Sequence, residues 1–173
     1  QKSYHQKTKV RDLALLTLLL GTGIRVSECV GLNIADIDFK NGGIRIYRKG
    51  GKEVTVYFGT EVEDALLDYL EERDRIIPEK GHEDALFLSL QRRRMAVRSV
   101  ENLVKKYARI VSPLKPITPH KLRSTYGTNL YRETGDIYLV ADVLGHSDVN
   151  TTKRHYAALE DERRRSARNK VRL

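Results

Sequence analysis

Thr118-Pro119-His120-Lys121-Leu122-Arg123 opens a stretch that runs through Leu144-Gly145-His146 to Tyr156, and its reading organises the whole chain. A threonine hydroxyl can cap a helix, and proline fits the first helical position, where its missing N–H costs nothing. A helix is therefore expected over Thr118 to Thr134, with Tyr126 and Leu130 as core contacts. His120 and Arg123 are three residues apart and share a face of its start. Free N–H groups and the helix dipole favour an anion there. Gly135-Asp136 stops this helix and caps the next, Ile137 to Leu144. Gly145 suits the left-handed position after a helix, so a stop signal fixes His146. Ser147 and Asp148 can cap a short helix whose far end carries Tyr156. Two histidines, an arginine and a phenol thus reach element ends, where side chains can converge on one ligand.

The residues before this stretch read as helices around a small sheet. Gln1 to Lys9 is polar and basic and reads as the end of a linker. Val10 to Leu20 is a helix apolar on more than one face, expected deep in the core. Gly21-Thr22-Gly23 ends it and places Arg25 at the mouth of the next helix, with Glu28 as a candidate orienter of its guanidinium. Ile37-Asp38-Phe39, Ile44 to Tyr47 and Val54 to Tyr57 read as three antiparallel strands, the last two joined by a tight hairpin at Gly50-Gly51. Lys49 and Lys52 flank that turn. A helix from Thr60 to Ile77 follows, capped by Thr60. Ala85 to Leu88 is a short buried segment. The basic loop Gln91-Arg92-Arg93-Arg94 precedes a helix over Ser99 to Val111, and Ser112 to Pro116 links it to the His120 helix.

Composition narrows the class. The 173 residues carry 32 Lys and Arg against 23 Asp and Glu, a net charge of +9, which favours an anionic partner such as nucleic acid. The single cysteine, Cys29, cannot form an intrachain disulfide, which fits a reducing compartment. No apolar run is long enough to span a bilayer. The chain starts at Gln1 and its only methionine is Met95, so it reads as a piece of a longer protein. There is no glycine-rich phosphate loop of the ATPase type and no histidine spacing that suits a metal.

Taken together, the boxes resemble the catalytic domain of the tyrosine recombinases, or phage integrase family. His120-Lys121-Leu122-Arg123 matches H-x-L-R, Leu144-Gly145-His146 matches L-G-H, and Tyr156 matches the nucleophile. Thr22 to Glu28 is similar to the first arginine box, and Lys49 to the hairpin lysine, with Lys52 as the other lysine of that turn. Tyr156 lies ten residues after His146, one more than is commonest in the family, and His155 takes the common position. The resemblance implies a mainly helical α+β fold with a small three-stranded antiparallel sheet. It implies a linker end at residues 1–9, a catalytic domain over 10–159 and a basic tail over 160–173, with the N-terminal core DNA-binding domain lying outside this chain.

The same resemblance implies the chemistry. Arg25 and Arg123 would neutralise a phosphodiester, His120 and His146 would donate to it or take the phenol proton, Lys49 would protonate the leaving oxygen, and Tyr156 would form a 3'-phosphotyrosine. Arg48, Lys52, Arg92, Arg93, Arg94 and Lys121 are the expected DNA contacts. Neither a metal nor another cofactor is expected. The expected partners are double-stranded recombination sites and other protomers in a tetrameric synapse, with the isolated fragment monomeric. The expected setting is the cytoplasm of a bacterium, the gene being bacterial or carried by a phage or mobile element. Two rivals are a type IB topoisomerase, which shares the chemistry without strand exchange, and a non-catalytic DNA-binding module. After Tyr156, Ala157-Ala158-Leu159 and then Val171 and Leu173 offer two apolar points around a charged tail.

Overall fold

The computed structural model describes residues 4–111, 117–146, 148–168 and 170. The expected linker at Ser112 to Pro116, the capping Ser147, and the tail residues Val171 and Leu173 lie outside them. Packing divides the chain into two compact units, residues 1–123 and 124–173.

In the first unit α1 spans Tyr4–Thr22, α2 Val26–Val30, and a 3-10 turn Ile34–Asp36 leads into a sheet. That sheet holds β1 (Ile37–Asp38), β2 (Gly43–Arg48) and β3 (Lys52–Tyr57) in the order β1-β2-β3, all antiparallel. Ile44 pairs with Val56 and Ile46 with Val54, so period-two alternation sends Ile44, Ile46 and Val56 into the core and leaves Arg45, Tyr47 and Thr55 exposed. Helix α3 (Thr60–Arg73) packs on α1, and α4 (Val97–Val111) packs on α2. Helix α5 (Pro119–Thr134) starts in this unit and continues into the second.

Four expectations change here. Helix α1 begins at Tyr4, inside the expected linker. Further along it, Arg11 pairs with Asp12 at 2.8 Å and donates to the Leu88 carbonyl, and the Tyr107 hydroxyl donates to Asp12 at 2.9 Å. Burial along α1 is one-sided, with Ala14, Leu15, Leu18 and Leu19 inside while Leu13 is 56 % exposed. Helix α3 ends at Arg73 instead of Ile77, since the Arg73 guanidinium donates to the Ala85 and Glu83 carbonyls and ties the helix end to the buried segment. Its N-cap is Gly59, with Thr60 as the first helical residue. The Tyr69 hydroxyl donates to the Leu86 carbonyl and accepts from the Leu88 amide, which satisfies the buried backbone of Ala85 to Leu88.

The second unit holds the rest of α5, then α6 (Ile137–Leu144), α7 (Val149–His155) and α8 (Ala157–Ala167). Asp136 caps α6 by accepting from the amides of Tyr138 and Leu139, and Gly145 takes the left-handed conformation after it, with φ 74°. Asp148 caps α7 by accepting from the Asn150 amide. Tyr131, Ile137, Val140, Leu144 and Tyr156 form this unit's own core, with Tyr126 and Leu130 packed against it.

Candidate active site

In the first unit, the turn between α1 and α2 gathers four charged side chains. Gly23 has φ 69°, a left-handed value that frees its carbonyl at the turn, and this carbonyl accepts a hydrogen bond from Arg123 Nη1 of α5. Arg25, two residues later, is the N-cap residue of α2; its amide donates to Glu28 Oε1 at 2.7 Å and its Nη1 lies 3.6 Å from Glu28 Oε2. The Arg25 side chain remains 44 % exposed, so its fork can reach a ligand. Glu28 is buried, and a carboxylate in that position needs cationic partners. The second is Arg48, whose Nε donates to Glu28 Oε2 at 3.2 Å. Arg123, on α5, is buried, while His120 and Lys121, in the first turn capped by the Thr118 hydroxyl, are exposed.

The Arg48–Glu28 pair also places the hairpin. Arg48 is the last residue of β2, and the Gly51 amide donates back to its carbonyl at 3.1 Å. Gly50 and Gly51 have φ 85° and 75°, values that side chains rarely adopt, so Lys49 sits at an exposed tip built by two glycines. Lys52, opposite Arg48 in the ladder, is exposed as well. Arg48 was expected to face DNA; its guanidinium instead points inward to Glu28 and acts as a strut for the Lys49 turn. The basic loop divides in a similar way. Arg94 donates to the carbonyls of Val30 and Leu32 and to Asn33, while Arg92 and Arg93 are exposed, Arg92 pairing on the surface with Glu79 at 3.0 Å. Cys29, next to Glu28, is inert by burial, which pushes its thiol up to about 12.

In the second unit, Gly145 delivers His146, whose amide donates to the Ala141 carbonyl at 2.9 Å. Its Nδ1 is hydrogen-bonded to the Thr152 hydroxyl of α7, a fully buried group. Thr152 thus holds the ring in place from α7. Tyr156 closes α7 and is 3 % exposed. Its ring stacks on Tyr131, with centroids 6.1 Å apart and planes 15° apart, and meets the edge of His155 at 4.7 Å. A Cβ at Gly127 would collide with the Tyr156 hydroxyl, so α5 carries a glycine there to admit the phenol.

Arg25, Glu28, Lys49, His120 and Arg123 therefore belong to the first unit, and His146 and Tyr156 to the second. Sequence reading missed Gly23 as the acceptor for Arg123, Thr152 as the partner of His146, and Gly127. Only the left-handed turn before Arg25 gave a sequence signal, in Gly21-Thr22-Gly23. Among the described residues, no three His, Cys, Asp or Glu side chains gather as a metal site would require, and no helix is long and apolar enough to cross a membrane.

The chain is 38 % identical over 148 residues to the tyrosine recombinase XerD of Oceanobacillus iheyensis, covering 85 % of this chain and 50 % of the relative. It is 37 % identical over 166 residues to the tyrosine recombinase XerS of Streptococcus uberis, covering 94 % and 46 %. The chain thus spans about half the length of the curated relatives it matches. Among solved structures, the XerA recombinase superposes with a TM-score of 0.81 at 30 % identity, over 96 % of this chain and 61 % of that one. The XerH site-specific recombinase in its pre-cleavage complex with difH substrate superposes with a TM-score of 0.76 at 26 % identity, over 90 % and 44 %. These neighbours share the mainly helical catalytic fold with its small three-stranded sheet. The sequence profile described as "Phage integrase family" spans residues 1–163, from α1 through Tyr156 and into α8, and on that match the chain belongs to the phage integrase family.

Proposed function

We propose that this chain is the catalytic part of a site-specific DNA recombinase that breaks and rejoins strands through a 3'-phosphotyrosine. The observation that carries the reading is the Arg123–Gly23 bond, which ties the H-x-L-R arginine to the turn presenting Arg25, while Glu28 holds Arg25 in place. Two guanidinium forks so held suit the non-bridging oxygens of one phosphodiester. Tyr156 Oη attacks phosphorus, the bond to the 5' oxygen breaks, and that oxygen takes a proton from Lys49. His120 and His146 donate to the phosphoryl oxygens, and one of them accepts the phenol proton. The phosphotyrosine conserves the phosphodiester's energy, so attack by a 5'-hydroxyl of another strand reverses the steps and rejoins DNA. Lys52, Arg92, Arg93 and Lys121 are the exposed cations that would track the backbone, with Arg48 and Arg94 supporting the surface from beneath.

The reading extends to double-stranded recombination sites as partners, to protomers assembled on them, and to a bacterial cytoplasm as the setting. Its test is covalent trapping. The chain is incubated with a duplex library of random sequence, and adducts that survive denaturing detergent are recovered. Parent protein should yield adducts linked through Tyr156, and Tyr156→Phe should yield none. Adducts through another residue, or equal yields from both proteins, would refute the assignment.

A further inference from the structure

Arg25 is presented by a helix of only five residues, α2. Five residues make about 7.5 Å of helix, too little to hold a place by their own hydrogen bonds. The position of α2 is therefore set by what grips its two ends. Glu28 grips the first through the Arg25 amide. Arg94 grips the other. Its Nη1 donates to the Val30 carbonyl at 3.0 Å and to the Leu32 carbonyl at 2.9 Å, and its Nη2 donates to Asn33 Oδ1. A guanidinium there answers carbonyls that a helix leaves open at its C-terminus.

The base of Arg94 is fixed as well. Its amide donates to His82 Nδ1 at 2.9 Å, the Met95 amide donates to the Phe87 carbonyl at 3.1 Å, and the Ser89 amide donates to the Arg93 carbonyl at 2.7 Å. Arg92 turns this loop with φ 64°, the one positive φ outside glycine among the described residues. Such a value is uncommon for any residue with a side chain, and it stands where the loop leaves Arg92 and Arg93 outside and sends Arg94 inward.

We propose that Arg94 is a positioning residue for Arg25: it pins the C-terminal end of α2, and through that short helix it sets where the Arg25 guanidinium meets a phosphodiester. The proposal rests on the recombinase reading of Arg25. The three arginines of the loop then divide by task, with Arg92 and Arg93 open to a DNA backbone and Arg94 turned to the protein's own carbonyls. A phosphate contact contributes affinity and salt dependence. A strut contributes rate, because a displaced charge-stabilising donor weakens transition-state binding more than substrate binding.

Cys29 gives a reading that needs no DNA. It lies within α2, is wholly buried and is the only cysteine of the chain, so its alkylation by iodoacetamide reports opening of that helix. Arg94→Ala should raise the alkylation rate about tenfold, with little dependence on added urea, the mark of a local opening. On saturating duplex library the variant should form adducts about tenfold more slowly than the parent, with Kd and its salt slope unchanged. Methylguanidinium, added below denaturing concentrations, should restore both rates towards parental values. Arg94→Lys keeps the charge and loses the fork, so it should fall between the two, and it decides by the same readings if Arg94→Ala does not fold. Parental alkylation overturns the proposal. So does faster alkylation that carries the full unfolding slope in urea, which would make Arg94 a general stabiliser. A weaker Kd with a salt slope lower by about 1 and a parental rate at saturation would make Arg94 a phosphate contact, and also overturns it. Faster local alkylation with no adduct from any protein, the parent included, supports the hold on α2 and refutes the recombinase reading alone.

Discussion

Glu28 shows how much one side chain can settle. Its carboxylate takes the Arg25 amide on one oxygen and lies near two guanidinium groups on the other, so it orients Arg25 and anchors Arg48, the strut of the Lys49 hairpin. Arg48 and Glu28 are both buried, and removing one member of such a pair strands the other charge. Glu28→Ala should therefore lower stability by about 3 kcal/mol, read as a fall in the urea midpoint at unchanged slope. A midpoint within error of the parent would show that Arg48 finds solvent without loss. Lys49 and Lys52 are both exposed beside the same turn, and chemistry separates them better than position does. Lys49→Ala should slow adduct formation on ordinary DNA and recover on DNA with sulfur at the leaving position, because a thiolate leaves without an acid. Rescue of Lys52→Ala in its place would move the role to Lys52. Cys29 gives an independent check of the core: burial raises its thiol from 9.0 to about 12, so at neutral pH the thiolate is scarce and alkylation should wait for unfolding. Rapid labelling of native protein at pH 8 would contradict the packing around α2.

Among the elements, legibility follows how local the cause is. Helix α6 was readable to the residue, since Asp136 before it and Gly145 after it act through their own neighbouring backbone. The sheet was readable because Ile44, Ile46, Val54 and Val56 alternate with polar residues on either side of a glycine pair. The end of α3 was not, because Arg73 is tied to the carbonyls of Glu83 and Ala85, and neither was the anchoring of α1 through Asp12 to Tyr107 across 95 residues. The same distinction runs through the site. His120, Arg123 and His146 stand at helix starts and stops that the sequence marks, whereas the bonds from Arg123 to Gly23 and from Arg48 to Glu28 cross 100 and 20 residues. Two element-scale tests follow from these contacts. Asp136→Ala removes an acceptor for two amides and should cost ~1 kcal/mol, seen as a lower melting temperature; an unchanged melting temperature would make the cap idle. Thr152→Val keeps the shape of α7 and removes the hydroxyl from His146, so adduct formation should drop by about tenfold while Thr152→Ser retains it. Equal loss in both variants would assign Thr152 to packing alone.

At the scale of the molecule, the two units differ in how much core each owns. The first buries side chains from α1, α2, the sheet, α3 and α4 in one cluster, with Leu15, Leu18, Ile44, Leu66 and Val100 wholly enclosed. The second has five buried members, two of them tyrosines, with α7 and α8 adding little beyond Tyr156 and Thr152. Apolar burial is the main favourable term in folding, and the smaller cluster offsets the entropy of fewer ordered residues by a smaller margin. This division is not legible in the sequence, because α5 runs through it and hydrophobic periodicity does not mark where one core ends and the next begins. The physical consequence is a gradient of local stability that places the candidate nucleophile in the weaker unit. Amide hydrogen exchange should report it. Amides of α7 and α8 are expected to exchange first, through openings well below the global unfolding free energy, α6 next, and those of α1 and α3 last, near the global limit. Raising urea in small steps should leave exchange in α7 and α8 nearly unaffected, because small openings expose little surface, while α1 responds with the full unfolding slope. If all helices share one exchange free energy and one urea slope, the units fold as a single cooperative block, and release of Tyr156 would then require an event as costly as unfolding the chain.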